Sequence, residues 1–436
     1  MARRIAIIGG GASGTLTALH LCREADHATS VTVVEPRERL GEGVAYGTTD
    51  ESHLLNVAAS GMSAYDDKPS HFAQWAACTP DTFVPRRRYA EYLRHELAAQ
   101  VRDNSLITFR HLRGVATQID ALAREVEVSG GSDSTTIQAD AIVLGLGNAA
   151  PATPEWVATF TLLPVTLDPW APAALDAIPA SSRVLCVGTG LTFVDVALTL
   201  ARRGVRVTGM SRHGLLPEVH APIGDTPSLP DDMLAALQGV PLLETDSNVA
   251  ESPVAVSPVA VSRWIRSQPD WRAAFTSLRP VTQRLWRTLS SAQQAQFLRL
   301  ARRYWDVHRH RMAADIAAEL HGRQLEGLIQ VRRGDARTLA ESGAFDHVVL
   351  CTGPDDSALL RSAPLAGLVA DGSVCAGPHG MGIATDADTG QVHDAQGRQV
   401  DGLYAIGPLR RGTLWESTAV PEIRSEASRL AALLLA

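Results

Sequence analysis

The chain has 436 residues, of which 45% are hydrophobic and 20% charged, and a formal net charge of −7. This length predicts two or three domains, since single cores stop growing at about 250–300 residues, and the acidic balance argues against a nucleic-acid partner. The five cysteines include no CxxC pair, so no metal site is expected and a reducing cytoplasm is favoured. No apolar run reaches the roughly 20 residues that would span a bilayer, and the segment before the first predicted strand is too short for a signal peptide.

The first predicted elements form a βαβ unit. A buried strand at residues 5–8 runs into a GxGxxG turn, a helix follows, and a second strand, 31–34, ends on an acid. Such a turn brings the backbone of a helix N-terminus close to a pyrophosphate, and the acid accepts from an adenosine ribose but repels a 2′-phosphate. The unit is therefore predicted to bind FAD or NAD through Gly9, Gly11, Ser13, Gly14 and Glu35.

A glycine-rich stretch, residues 41–63, follows the first unit and is too irregular for a packed helix. We expect it to wrap the rest of the cofactor, with His53, Asn56 and Ser63 as hydrogen-bond donors and Met62 as an apolar wall. The alternative is a surface loop.

The next elements are helices at 71–75 and 89–97, separated by the arginines 86–88. These arginines are expected to form a solvated face, with pairing to cofactor anions as the alternative. Strands at 107–109 and 115–128 surround a predicted hairpin turn at 130–133. A buried strand at 141–148 breaks into glycines, among them the predicted cofactor contact Gly147, and a Pro- and Ala-rich tract, 151–182, connects to the next domain.

The segment 183–193 repeats the opening pattern of strand, glycine turn and helix start. Gly188 and Gly190 retain the two backbone roles at the pyrophosphate, whereas Phe193 replaces the third glycine and should alter helix–strand packing. The following strand, 205–210, leads to Arg212 instead of a carboxylate, and arginine can hold a 2′-phosphate bidentately. This unit is predicted to bind NADPH; an NADH site and a vestigial unit without ligand are the alternatives.

The tract from 228 to 325 has no dinucleotide motif and is predicted to be helical. Trp305, His308, Arg309 and Met312 fall on one helical face, which could bind substrate or simply belong to the core. The repeat at 252–262 is predicted to be an exposed loop or lid.

The end of the chain returns to the first unit. Residues 346–353 again run from strand to glycine, at Gly353, and 402–407 resemble the strand that reaches the flavin in two-dinucleotide flavoproteins, ending at Gly407. Those proteins commonly have Asp at the next position. Pro408 stands there, so that carboxylate must be missing or come from elsewhere.

Several unusual segments together resemble the bacterial FAD-NAD(P)-binding family of oxidoreductases, which is related to flavin-dependent aspartate and amine N-monooxygenases. The resemblance spans residues 41–47, 53–64, 188–196, 211–220, 305–312, 351–354 and 412–424. It implies FAD and a nicotinamide cofactor but does not fix the reaction. The expected fold is α/β, with two nested Rossmann-type dinucleotide-binding domains and a helical insertion. The FAD-binding domain is predicted at 1–160 and 336–436, and the NADPH-binding domain at 181–335, with the insertion at about 228–325.

The function predicted from these features is an NADPH-dependent flavin monooxygenase that hydroxylates the nitrogen of a small amine or amino acid, with molecular oxygen as co-substrate. A non-oxygenating flavin reductase or dehydrogenase and a nucleotide-binding regulatory module are the alternatives. The catalytic residues are unknown. An anionic substrate is predicted, held by His308, Arg309 and Arg424; alternatively, these arginines pair with Asp306, Glu416 or Glu422 and hold the domains together.

Overall fold

The computed structural model describes residues 2–131, 133–238 and 257–436. Its strands are β1 Arg3–Ile8, β2 Thr29–Val34, β3 Ile107–Leu112, β4 Val115–Asp120, β5 Glu125–Gly130, β6 Asp133–Gln138, β7 Ala141–Leu144, β8 Val165–Thr166, β9 Arg183–Val187, β10 Arg206–Ser211, β11 Ile329–Arg333, β12 His347–Leu350, β13 Gln391–His393 and β14 Gln399–Ala405. Its helices are α1 Ala12–Glu24, α2 Gly43–Tyr46, α3 His71–Trp75, α4 Arg86–Asp103, α5 Leu191–Ala201, α6 Asp231–Gln238, α7 Pro258–Ser267, α8 Trp271–Leu278, α9 Thr282–Thr288, α10 Ser291–Leu300, α11 Arg302–Arg309, α12 Ala314–Leu325, α13 Ala336–Ala340, α14 Asp356–Leu360, α15 Leu365–Ala370 and α16 Val420–Leu435. No helix in these ranges is long and apolar enough to cross a membrane.

The first sheet has the strand order β13-β14-β7-β1-β2-β3 and is parallel except for β13. Its central strand β1 is buried on both faces, which explains its unbroken apolar run at residues 5–8. Helix α1 packs against α4 and α16 on one face. On the other face, the antiparallel sheet β4-β5-β6 and helix α15 complete a second core. The sheet therefore joins the N-terminal and C-terminal parts of the chain, as the predicted nested plan requires.

The second sheet is entirely parallel, with the order β11-β10-β9-β12-β8. It corrects the predicted domain boundaries in two places, because β12, at 347–350, lies beside β9 in this sheet and not in the FAD-binding domain. The connecting tract 151–182 also contributes an edge strand, β8. The domain to which a strand belongs is decided by its pairing with neighbouring strands, and this pairing is not visible in the sequence pattern.

The helical insertion is shorter than predicted. Helix α12 packs on α5 and buries Leu320 in the core of the second domain, as a crossover helix of that sheet. Helix α11 ends at Arg309, so Met312 is not on the predicted helical face; it lies in an extended bridge with Val219 and is buried in the same core. Among the described residues, the insertion therefore consists of α6 to α11.

Three local predictions are also corrected. The arginines 86–88 are not a separator, since they form the first turn of α4. The stretch 41–63 contains the short helix α2. Residues 258–262 of the predicted exposed loop form the start of α7, which Ser257 caps by accepting from Ala260 N, while 252–256 lie outside the described residues.

The missing third glycine of the second unit is compensated in the adjacent strand. The Phe193 ring is fully buried against Gly209 of β10, where a β-carbon would lie 2.6 Å from the ring. The helix therefore carries the large residue and the strand supplies the space, so helix–strand packing is altered as predicted.

Two of the cysteines that are scattered in the sequence meet in the second domain. Cys186 on β9 and Cys351 after β12 are buried in one core. The hydrogen bond to Cys186, together with burial, raises the pKa of the Cys351 thiol. Both thiols are thus packed core groups of the second sheet.

Candidate functional site

The first glycine turn has the geometry of a dinucleotide cradle. Gly9 has φ 103°, and a β-carbon there would lie 2.5 Å from Gly145 O, so only glycine fits. A β-carbon on Gly14 would lie 1.9 Å from Gly9 O. Gly11 is the N-cap of α1, and no side chain caps its first-turn N–H groups. A β-carbon on Gly11 would approach no protein atom closer than 3.5 Å, which leaves room for an anion above the turn. These residues fit the pyrophosphate of FAD.

Glu35 closes the same site from the end of β2. Its carboxylate is buried and accepts hydrogen bonds from Gly10 N at 2.9 Å and Arg37 N at 3.1 Å. The predicted C-terminal contact also reaches this point, because a β-carbon on Gly407 would lie 2.5 Å from Ser13 Oγ. The structure therefore brings together the predicted residues Gly11, Ser13 and Gly407 with Glu35 at the start of α1.

A buried carboxylate lies beside the flavin segment even though Pro408 replaces the usual Asp. Glu426 of α16 accepts from Gly407 N at 3.4 Å and pairs with Arg410 at 3.2 Å. Burial raises the pKa of Glu426, and the Arg410 guanidinium opposes this rise. Sequence reasoning missed Glu426, since a residue in the middle of a helix gives no signal that it folds back on a glycine 19 positions earlier.

The predicted wrapping residues are divided between several contacts. His53 Nε2 lies 2.9 Å from Thr199 Oγ1 in the second domain, and Asn56 O accepts from His220 Nε2 at 3.0 Å. Met62 is buried in the core, and Ser63 Oγ donates to Lys68 O at 2.7 Å. In this arrangement His53 and Asn56 connect the two domains, and their role as donors to the cofactor stays a prediction.

The domain interface also contains a partly buried ion pair. Arg86 of α4 pairs with Asp195 of α5 at 2.8 Å, and its Nε donates to Leu54 O at 3.0 Å. Of the three arginines predicted to form a solvated face, Arg87 and Arg88 pair with Glu91, whereas Arg86 joins the domains.

The second glycine turn repeats the first. Gly188 has φ 110°, and a β-carbon there would lie 2.2 Å from Cys351 O. Gly190 is the N-cap of α5 with no side-chain cap, and a β-carbon on it would meet nothing within 4 Å. Gly147 and Gly353 follow β7 and β12, the strands beside each turn, and a β-carbon on either would also meet nothing within 4 Å. This cradle fits a second dinucleotide.

Arginines surround the end of β10, where the adenosine ribose of that dinucleotide would lie. Arg212 is exposed. Arg333 lies close to it at the end of β11, because Arg333 pairs with Ser211 at the end of β10. The pKa of the neighbouring His213 is lowered by desolvation and by the positive charges of Arg303, Arg333 and Arg212. Sequence reasoning found Arg212 alone, because Arg333 and Arg303 arrive from a neighbouring strand and from the helical insertion.

An aromatic cavity of about 700 Å³ lies within the helical insertion. Its wall is formed by helices α7 to α11 and by Trp415, which follows the C-terminal flavin segment. The lining residues are Pro258, Val261, Ser262, Ile265, Arg266, Gln268, Trp271, Phe275, Thr282, Leu285, Trp286, Leu289, Phe297, Ala301, Tyr304, Trp305, His308 and Trp415.

The three predicted substrate residues separate in space. His308 lines the cavity and stacks on Phe275, with ring centroids 5.8 Å apart. Arg309 is buried and lies 3.0 Å from Glu416 and 3.5 Å from Glu422. Arg424 pairs with Asp66 at 2.6 Å and donates to Ser63 O. Both arginines thus meet protein carboxylates, as the structural alternative anticipated, although the partner of Arg424 is Asp66.

Glu416 connects the cavity wall to the domain interior. Its carboxylate is 2% exposed and accepts from Trp305 Nε1 at 2.9 Å. Burial raises its pKa, and the charge of Arg309 opposes the rise. The Arg309–Glu416 contact lacks hydrogen-bond geometry: Arg309 Nη2 and Glu416 Oε2 have no hydrogen-bond partner among the described residues.

Comparison of the whole chain with solved structures finds the same architecture in amine hydroxylases. The ornithine N-hydroxylase of Kutzneria sp. 744 gives a TM-score of 0.57 at 13% identity, over 100% of this chain and 99% of that chain. The reduced ornithine hydroxylase of Pseudomonas aeruginosa gives 0.55 at 14% identity, over 100% and 99%. The FAD-bound cadaverine monooxygenase of Erwinia amylovora gives 0.51 at 11% identity, over 100% and 94%. At such identities the likeness establishes the fold alone.

Comparison by sequence identifies the N-terminal part of the chain. A search of curated proteins found no match. Residues 6–149 match the FAD-NAD(P)-binding family, over the first glycine turn, Glu35 and strand β7. This match confirms the resemblance on which FAD and a nicotinamide cofactor were predicted, and it covers residues 6–149 of a chain that has the fold of the ornithine hydroxylases.

Proposed function

We propose that the chain is an FAD-dependent, NADPH-using monooxygenase that hydroxylates the nitrogen of an amine. The observation that carries the proposal is the pairing of two uncapped glycine turns that differ in charge. One ends at Glu35 and suits FAD, while the other ends among arginines and suits the 2′-phosphate of NADPH. A chain built to hold both cofactors at once is suited to pass a hydride from one to the other.

When bound, FAD would supply the redox and oxygen chemistry. The residues of the chain would bind and orient the reactants. The turn at Gly11 would hold the flavin pyrophosphate, Glu35 the ribose, and Gly190 with Arg212 the nicotinamide dinucleotide. The Arg86–Asp195 pair and the His53–Thr199 contact hold the two units against each other.

Oxygenation also requires a site that excludes water. The aromatic cavity beside Trp415 would supply the apolar walls of such a site, because eight rings, counting His308, line it. The solved structures with this fold are described as acting on ornithine and cadaverine, and an amine is accordingly the class we propose here.

The predicted anionic substrate receives less support. Arg309 and Arg424 are neutralised by Glu416, Glu422 and Asp66, so neither guanidinium is available as an isolated cation for a substrate carboxylate. Recognition of an anion would require these ion pairs to open.

The test is anaerobic reduction of the FAD-loaded protein by NADPH, followed by a pulse of oxygen with and without an amine panel. The flavin spectrum, oxygen uptake and hydroxylamine formation are recorded. Amine-stimulated NADPH oxidation with matching hydroxylamine supports the proposal. Rapid flavin reduction by NADPH without amine-linked oxygen uptake would indicate the non-oxygenating reductase, and FAD binding without any turnover would indicate the regulatory module.

A further inference from the structure

We propose that the aromatic cavity binds the apolar body of the substrate, and that the substrate is an amine bearing a bulky apolar group, preferably an aromatic ring. This inference rests on the proposed function for the chemistry at nitrogen. It differs from the expectation of a small anionic amino acid.

The shape of the cavity favours a large apolar occupant. Its volume, about 700 Å³, falls within the range of sites that bury drug-sized ligands. The rings are arranged as walls: Trp286 stacks on Trp415 with centroids 5.1 Å apart, and Phe297 meets Trp415 edge-on at 5.3 Å. Aromatic faces of this kind contact planar or branched apolar groups well.

Five polar groups of the wall are already bonded to the protein. These bonds are Trp286 Nε1 to Gly412 O at 3.0 Å, Trp305 Nε1 to Glu416 at 2.9 Å, Thr282 Oγ1 to Leu278 O at 2.8 Å, His308 Nδ1 with Tyr304 O at 2.7 Å, and Gln268 Nε2 to Trp264 O at 3.3 Å. A ligand rich in carboxylates and hydroxyls would lose its hydration against the rings of this wall without gaining hydrogen bonds from them. An apolar body has no such cost.

The charges near the cavity point the same way. Glu416 lies behind Trp305 and faces Arg309, so the two formal charges offset each other. Arg266 is a lining residue but is exposed, and its Nε donates to Ser262 O within its own helix. Because apolar surroundings disfavour the charged form of an amine, a substrate held here would present the neutral, nucleophilic nitrogen that hydroxylation requires.

The position of Trp415 connects this cavity to the segment at Gly407, which lies beside the first glycine turn. Gly412 accepts from Trp286, and both Gly412 and Trp415 lie within eight residues of Gly407, which contacts Ser13 at the start of α1. The apolar body would thus lie in the insertion, with the amine end toward the C-terminal flavin segment.

The experiment measures binding of 2-phenylethylamine, tryptamine, L-ornithine and L-aspartate to the FAD-loaded protein by calorimetry and by quenching of tryptophan fluorescence. 2-Phenylethanol serves as a probe that has the ring but no nitrogen. Ser262→Phe places a ring inside the cavity from α7, and Ala301→Phe does so from the turn between α10 and α11. Ser267→Phe is the matched control, since Ser267 lies exposed on the same helix as Ser262 and outside the cavity wall.

We expect the aromatic amines and 2-phenylethanol to bind, and the dissociation constant of 2-phenylethylamine to rise at least about tenfold in Ser262→Phe and Ala301→Phe, because the ring loses its buried surface. The Ser267→Phe protein should bind as wild type, with FAD content and Tm unchanged in all three. Tighter binding of L-aspartate or L-ornithine than of 2-phenylethylamine, unaffected by either cavity-filling variant, would overturn the inference. A third outcome is that the aromatic amines bind to the wild type and not to the two cavity variants, yet no hydroxylamine forms. This result would support the cavity assignment and contradict the proposed N-hydroxylation, so failure of the inference and failure of the proposed function can be told apart.

Discussion

The two glycine turns have the same backbone geometry, but the side chains beside them carry opposite charges. In both, a helix begins at a glycine with no capping side chain, and a β-carbon on the first glycine would collide with a carbonyl of the neighbouring strand. The buried carboxylate of Glu35 accepts from Gly10 N in the first turn, whereas the strand after the second turn leads to Arg212 and to His213, whose pKa is lowered by desolvation and by the charges of Arg303, Arg333 and Arg212. The shape of a dinucleotide site is therefore set by backbone and glycine, whereas its choice of ligand is set by a few side chains at the end of the second strand.

The repetition extends to the base of each sheet. Arg4 on β1 pairs with Asp140 before β7, and Arg183 on β9 pairs with Asp346 before β12. In each case the aspartate also accepts from the arginine backbone N–H at 2.8 Å. Each Arg–Asp pair joins a central strand to its neighbour at the end of the sheet opposite the glycine turn. The two units are therefore alike at both ends of their central strands.

The largest effect is expected from Gly11→Val, which should leave the protein folded and colourless. A β-carbon at Gly11 meets no protein atom closer than 3.5 Å, so the branched side chain mainly occupies the space of the pyrophosphate. Flavin absorbance after purification measures the effect, with circular dichroism as the control for folding. Full flavin occupancy in Gly11→Val would contradict the assignment of this turn.

Gly190→Val should separate the two turns. Since the space around Gly190 is also open, we expect a yellow protein that retains FAD but is no longer reduced by NADPH on the wild-type timescale. Stopped-flow reduction at several NADPH concentrations checks this. If reduction by NADPH persisted unchanged, the second unit would be vestigial.

Arg212→Ala should cost about one to two decades in affinity for NADPH, corresponding to one charge-assisted pair of about 1.5–3 kcal/mol. Binding of NADH should change little. Arg303→Ala and Arg333→Ala should also lower the affinity for NADPH, because the charges of both guanidinium groups act on His213, which follows Arg212 in the chain. Dissociation constants for the two nucleotides with oxidised protein provide the measurement; equal losses for both nucleotides would mean that these arginines are structural.

The smallest effect is expected from the Arg–Asp pairs. The Arg183 guanidinium holds the pKa of Asp346 at about 2, below its ordinary 3.8, and Arg4 likewise lowers the pKa of Asp140. A carboxyl with a depressed folded-state pKa stabilises the protein above its ordinary pKa, and that contribution is lost as the pH falls from about 4 toward 2. Asp346→Asn should therefore lower Tm slightly at pH 7 and flatten its acid dependence. Because both pairs are exposed, a large drop in Tm would be unexpected.

Much of the fold followed from local patterns. The apolar run at 5–8, the first glycine turn and the acid at Glu35 lie within about 30 residues of one another, and the structure confirms the first two strands and the first helix there. Helices over 71–75 and 89–97 were also found, the latter as part of α4. Phe193 was visible as a departure, but its compensation by Gly209 was not, since two residues in contact across a helix and a strand carry no shared sequence pattern.

The sequence by itself determined the two dinucleotide units and the return of the C-terminus to the first of them, because hydrophobic period and glycine spacing are local properties of a strand–turn–helix. Only the tertiary structure decided which sheet receives β12, which arginines surround His213, and which carboxylates meet Arg309 and Arg424. It also assembled the aromatic cavity from five helices and Trp415. These features depend on side chains brought together from distant parts of the chain, and pairing and packing over such separations are settled by the whole fold.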